Sequence, residues 1–310
     1  MKTFILLILA AGTFCSLGFR YKEGSLGYRL MQLHSDRAMS FEFSLNDHRR
    51  ILLPVPEIRR ILLPVPEIKR RLQSKTNALQ AARELTRYKE LGILNKTITG
   101  STLLNHVIPY RTAISLLTGA AIVEASEGKM KEAVRDFERA CTISRTFLKG
   151  CKTLVEIHTY HDVCCKQLTG AIRSSALPPE MKKNCLRKIP KRKAISAVLP
   201  TVLELEKRII LAAKDAKNRK ETEIFFTVNE FSSAERKAFN SLSREKLSEL
   251  LEKFNQQICK EFATKTLTRN TPVLLRTGSP VEDAVLQKIY GGIVRGLGKV
   301  SDTLAGRKKQ

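Results

Sequence analysis

Leu247, Leu250, Leu251, Phe254, Ile258 and Phe262 recur at steps of three and four, a pattern that only a helix turns into one continuous apolar face. The same spacing returns at Leu199, Val202, Leu205, Ile209 and Ala212, and again at Leu154, His158, His161, Cys165, Leu168 and Ile172. No series of strands with alternating apolar and polar residues accompanies these stripes. Only IFFTV at 224–228 has the β-branched and aromatic content of a strand. The spacing therefore predicts an all-α fold.

Punctuation residues mark the helices. LQSKTNALQAARELTRYKELG closes on Gly92, in the position of a C-cap, and Ser232 with Glu235 forms a capping-box pair. Pro109 opens a helical run that breaks at Gly128 and resumes, which reads as a helix hairpin. Pro178 and Pro179 interrupt the chain just before KKNCLRKIPKRK, its densest basic stretch.

One segment resists helical reading. RRILLPVPEI occupies residues 49–58 and again 59–68. Two prolines per copy remove backbone donors and push Leu53, Val55, Leu63 and Val65 toward extended angles. The expectation is a polyproline-like or edge-strand arm, outside the core because a ten-residue duplication in a packed element would displace all that follows. A tolerated spacer is the first reading. The second is a docking arm in which Leu and Ile lie on a partner or membrane while Arg49, Arg50, Arg59 and Arg60 meet phosphates.

MKTFILLILAAGTFCSLGF has a basic start, an apolar run and small residues at Ser16 and Gly18, the layout of an export signal. Uncleaved, its seventeen uncharged residues from Thr3 to Phe19 just reach the length of a membrane anchor. Phe14 before Cys15 argues against a lipoprotein site. Cys141, Cys151, Cys164, Cys165, Cys185 and Cys259 match no disulfide framework and read mainly as packed free thiols. Lys and Arg number 55 against 30 Asp and Glu, a formal charge of +25 that calls for an anionic partner without choosing its chemistry. The absence of Trp and the presence of only six Tyr disfavour single-strand nucleic-acid binding by stacking.

Within the hairpin, Ala133, Phe137 and Ala140 follow small Ala120 and Ala121 at the spacings of a tetratricopeptide unit, which this stretch resembles over about one repeat of 34 residues. Leu117, Glu124 and Arg145 stand where that family has an aromatic, a Tyr and a Pro. VEASEGKMKEAVRDFERACTISR and LELEKR are also similar to segments of a group of uncharacterised bacterial proteins, mainly of planctomycetes, that begin with a membrane segment and continue as helices. That resemblance implies a periplasmic or inner-membrane setting and carries no activity. The organisation expected is a signal or anchor at 1–19, a basic arm at 20–71, a helical domain of repeat-like hairpins at 72–270, and a C-terminal helix with basic tail at 271–310.

Candidate chemistry is sparse. His158, His161 and Cys165 share one helical stripe and are the residue types of a zinc site, with Glu124 or Cys141 as a fourth ligand. His161-Asp162 is also the dyad of the helical HD phosphohydrolases, whose outer ligands could here come only from His106 and Asp215. YGGIVRGLGKVSD lacks the Walker spacing, so Gly292 and Gly296 read as sites of close helix approach. The leading expectation is a non-enzymatic, exported or membrane-tethered helical scaffold without a cofactor. Its basic surface, with Lys191, Arg192 and Lys193 at its centre, would meet an anionic membrane or acidic polymer, and its hairpins a protein partner. The alternatives are a metal-dependent hydrolase around His158, His161 and Asp162, and a basic nucleic-acid-binding protein.

Overall fold

The structure, a computed structural model, describes residues 64–87, 107–214, 222–223, 226, 231–271 and 279–305. Among these no residue is in a strand. The elements are α1 (Val65–Gln73), α2 (Thr76–Glu84) with a 3-10 turn at Leu85–Arg87, α3 (Val107–Ser126), α4 (Met130–Gly150), α5 (Leu154–Tyr160), a π-helical stretch (His161–Leu168), α6 (Thr169–Ser174), α7 (Pro179–Lys188), α8 (Arg192–Ala212), α9 (Ser233–Ser241), α10 (Arg244–Thr264) and α11 (Pro280–Leu304).

α3 is apolar around most of its circumference, and the fold explains why: α1, α2, α4, α5 and the π-helical stretch all pack on it. Tyr110, Ala113, Leu116, Leu117, Ala120 and Ala121 are all buried. The hairpin of α3 and α4 turns at Gly128, whose φ of 78° suits a residue without Cβ. Ala133, Phe137 and Ala140 of α4 lie against it, fully buried. α2 is tied to this hairpin by charge as well as packing. Arg83 donates to Asp136 at 2.6 Å and to Glu124 at 2.8 Å, and Arg139 reaches the same Asp136 at 2.7 Å.

The second half builds on α8 and α10, which pack along each other. The stripe from Leu247 to Phe262 is buried, and Ser243 caps the start of α10 by accepting from the backbone N–H of Lys246 at 3.0 Å. α9 begins on the capping box expected of Ser232 and Glu235, whose two bonds measure 3.3 and 2.7 Å. α11 joins the same core: Tyr290 stacks on Phe254 with ring centroids 3.7 Å apart. Phe226, in the stretch suspected of being a strand, is helical and buried in edge-on contact with Phe239.

Two sequence expectations change. First, a helix does enter the tandem decamer: α1 starts at Val65, inside the second copy, with Pro66 in its first turn, where a missing N–H costs nothing. Ile68 is 1 % exposed, so the last residue of that copy is core rather than spacer. Glu67 pairs with Arg70 at 2.8 Å and Arg71 at 2.7 Å, and their hydrogen bonds hold its carboxyl down to about 2. Residues 49–63, with Arg49, Arg50, Arg59 and Arg60, lie outside the described residues.

Second, the small residues of α11 divide the work differently. A Cβ on Gly292 would meet nothing within 4 Å, whereas one on Gly296 would fall 2.5 Å from His158 Nε2. On Gly298 it would fall 2.3 Å from the backbone of Thr268 and Arg269. No helix among the described residues is long and apolar enough to cross a membrane. The apolar run at 1–19 lies outside them.

Candidate anion-binding groove

α6, α7 and the start of α8 follow one another around two proline breaks, Pro178-Pro179 and Ile189-Pro190, and the turns between them leave a concave face. Tyr160 donates to the Pro190 carbonyl at 2.9 Å, and Lys188 reaches back to Glu138 on α4 at 2.6 Å, so the second break is held against the core. Cys185 faces inward, and this leaves Lys182, Lys183, Leu186 and Arg187 on the outer side of α7 at helical neighbour spacing.

The resulting groove has a volume of about 580 Å³. Leu186, Ile189, Pro190 and Leu304 give it an apolar floor. Its rim carries five cations, Arg173 from α6, Lys182, Lys183 and Arg187 from α7, and Lys191 at the head of α8, and no carboxylate lines it. Among the described residues, Arg173, Lys182 and Lys191 have no acidic partner, and Lys183 has only Glu180 at 3.7 Å. Like charges assembled without counter-charges raise the local potential, and the apolar floor sharpens it by excluding water. The arrangement can hold an anion. Burial pushes the thiol of the lining Cys165 up to about 11.

The structure treats the expected residues unequally. Lys191 lines the groove and Lys193 is exposed beside it on α8. Arg192 is withdrawn from the surface: it is buried, donates to the Phe262 carbonyl at 2.8 Å and Ser301 Oγ at 2.9 Å, and lies 5.0 Å over the Phe262 ring. It fastens α8 to α10 and α11 and is a structural residue. Lys182, Lys183 and Arg187 were visible in the sequence as part of the dense basic run. Arg173 was not, because only the fold of α6 onto α7 brings it there.

His158, His161 and Cys165 do not converge. Among the described residues no three His, Cys, Asp or Glu side chains stand close enough to hold a metal ion. His161 is buried with Nδ1 3.4 Å from Asp162, and that carboxylate pairs outward with Lys166 at 2.8 Å. His158 instead faces Gly296 on α11. Glu124 is held by Arg83, and the Cys141 thiol is pushed up to about 12, chiefly by burial. His106 and Asp215 lie outside the described residues. The six cysteines from Cys141 to Cys259 are all free.

Burial also depresses the pKa of His158 below its ordinary value of 6.5. A histidine that is harder to protonate in the fold stabilises it fully above the unfolded-state pKa and loses that contribution as pH falls through the folded one. Unfolding free energy should therefore decline as pH drops below about 6.5, and a His158→Gln variant should show a flatter curve below that pH. Denaturant titrations across that range measure it; equal slopes for the two proteins would contradict it.

No family model, no curated protein and no solved structure matches this chain.

Proposed function

We propose that this chain is a non-enzymatic, exported or membrane-tethered helical scaffold that binds anionic lipid headgroups through the groove between α6, α7 and α8. One observation carries the reading: five cations ring a single concave surface with an apolar floor and no carboxylate. Such a surface suits headgroups at the edge of an apolar phase, since it offers charge to the phosphate and apolar area to what lies beneath it. The apolar run at 1–19 supports delivery to a membrane.

The test is sedimentation with vesicles. The full chain would anchor through residues 1–19 regardless of headgroup, so the comparison uses groove variants of that chain and reads the salt-dependent component of binding. With about 1 kcal/mol per basic residue near an acidic surface, the triple variant Arg173→Gln, Lys182→Gln, Lys191→Gln should bind acidic vesicles on the order of 100-fold more weakly. Lys237→Gln, Lys246→Gln, Lys260→Gln removes the same charge from exposed positions elsewhere and should lose much less. Binding should fade as the Debye length shrinks from about 10 Å at 0.1 M salt to about 3 Å at 1 M. Equal losses in the two triple variants would show that net charge and not the groove does the binding. Preference for one nucleic-acid sequence over acidic vesicles would replace the reading altogether.

A further inference from the structure

What α1 uses of the tandem decamer occurs twice in the chain. α1 sits on α3 through Ile68 and Leu72, one turn apart. A Cβ on Gly119 would lie 3.3 Å from Ile68 Cγ2 and 3.8 Å from a Leu72 methyl, so the bare glycine forms the floor of the seat. Lys69 adds an ion pair to Glu127 at 2.7 Å, at the start of the α3–α4 turn. The segment VPEIKRRL at 65–72 is preceded by VPEIRRIL at 55–62. The two share Val, Pro, Glu, Ile, Arg and Leu at matching positions. They differ only in Arg59 for Lys69, which keeps the cation, and Ile61 for Arg71, which faces partly outward.

We propose that the seat on α3 accepts either copy, so that residues 55–62 can replace 65–72 as the first helix while α2 stays locked to α4 through Arg83. Ile58 and Leu62 would then take the places of Ile68 and Leu72, Pro56 again falls in the first turn, and Glu57 again has an arginine three residues on. The cost lies in the connection. Three residues, 73–75, link Leu72 to Thr76, whereas residues 63–75 would link Leu62 to it, and loop-closure entropy disfavours the longer link about tenfold. The exchanged register is thus a minor state with a physical consequence: the arm upstream of the body is shorter by ten residues, about 30 Å of extended chain. The inference rests on the seat of α1 and stands or falls apart from lipid binding.

Disulfide trapping in the full chain tests it, with products located by peptide mass mapping. Gly119→Cys with Ile68→Cys should form an intramolecular bridge readily, because the substitution removes the methyl that crowds Gly119. Gly119→Cys with Ile58→Cys should bridge about tenfold more slowly, and adding Ile68→Asp should raise that rate to near that of the first pair. A second measurement guards against misfolding: in the full chain the spare copy limits the loss of stability caused by Ile68→Asp to about tenfold in the unfolding constant, whereas a chain lacking residues 49–58 has no spare and should lose more. Equal losses in the two chains, or no bridge between positions 58 and 119 when Ile68→Asp is present, would overturn the proposal. Bridges found only between two chains would also overturn it, in favour of exchange between copies.

Discussion

Gly298→Ala should destabilise the chain by about 2 kcal/mol, although alanine is the better helix former by about 1 kcal/mol. The added methyl would stand 2.3 Å from the amide of Arg269 and the carbonyl carbon of Thr268, and these are backbone atoms that no rotamer change can move aside. That backbone is also pinned. Thr268 and Thr271 are bonded to each other, and the Arg269 amide donates to Asp302 of α11 at 3.3 Å. Relief requires α11 to shift as a body by more than an ångström, which would disturb the stack of Tyr290 on Phe254. Overpacking of this kind costs about 3 kcal/mol or somewhat more, and propensity returns about one of these. Gly292→Ala, in the same helix but with nothing within 4 Å, should stabilise by up to about 1 kcal/mol. Urea denaturation of the two variants reads opposite signs; a shared sign would mean that α11 does not approach the 268–269 backbone as described.

Asp136→Ala should cost more, about 3 kcal/mol or above. Asp136 is 1 % exposed and accepts from both Arg83 and Arg139, each of which is itself partly buried. Removing it leaves two guanidinium groups near each other, with Glu124 as the remaining carboxylate in reach of Arg83. Breaking a buried ionic group in this way costs about 3–5 kcal/mol, because the surviving charges remain desolvated. Replacing Arg83 by Met should cost less, since Arg139 still serves Asp136 and the unbranched apolar side chain keeps much of the packing that the Arg83 stem gives α2. The double variant Arg83→Met, Asp136→Ala should be more stable than Asp136→Ala alone. If instead the two single losses simply add, Arg83 and Asp136 are not coupled and the account of how α2 is held fails.

These two sites show where sequence reading stops. The stripe of α10, the capping box of α9 and the turn at Gly128 were legible because each is local: residues within one or two helical turns decide them. The metal reading of His158, His161 and Cys165 draws on the same periodicity, and among the described residues no such group stands close enough to hold a metal ion. Spacing puts side chains on one stripe, but a stripe spans more than a ligand sphere, and α11 comes in to occupy the His158 side of it. The helical start at Val65 was missed for a related reason. Two prolines per decamer suggest an extended chain throughout, yet proline is tolerated in a first helical turn, and Ile68 had a seat on α3 to fill.

By itself, the sequence determined that the body is helical, where the stripe of α10 and the capping box of α9 fall, and that its charge is strongly positive. Those properties follow from periodicity, capping chemistry and composition, all of which act over a few residues. Tertiary structure alone decided which charges belong to the surface and which to the core. Arg192 and Lys193 are adjacent letters in one basic run, but α10 and α11 bury the first against a carbonyl and a serine while the second stays in water. Arg173 is remote from that run and is brought to its rim by the packing of α6 on α7. The physical reason is the same in both cases: desolvation and charge proximity depend on what lies across a helix interface, and partners separated by up to about a hundred residues leave no local pattern to read.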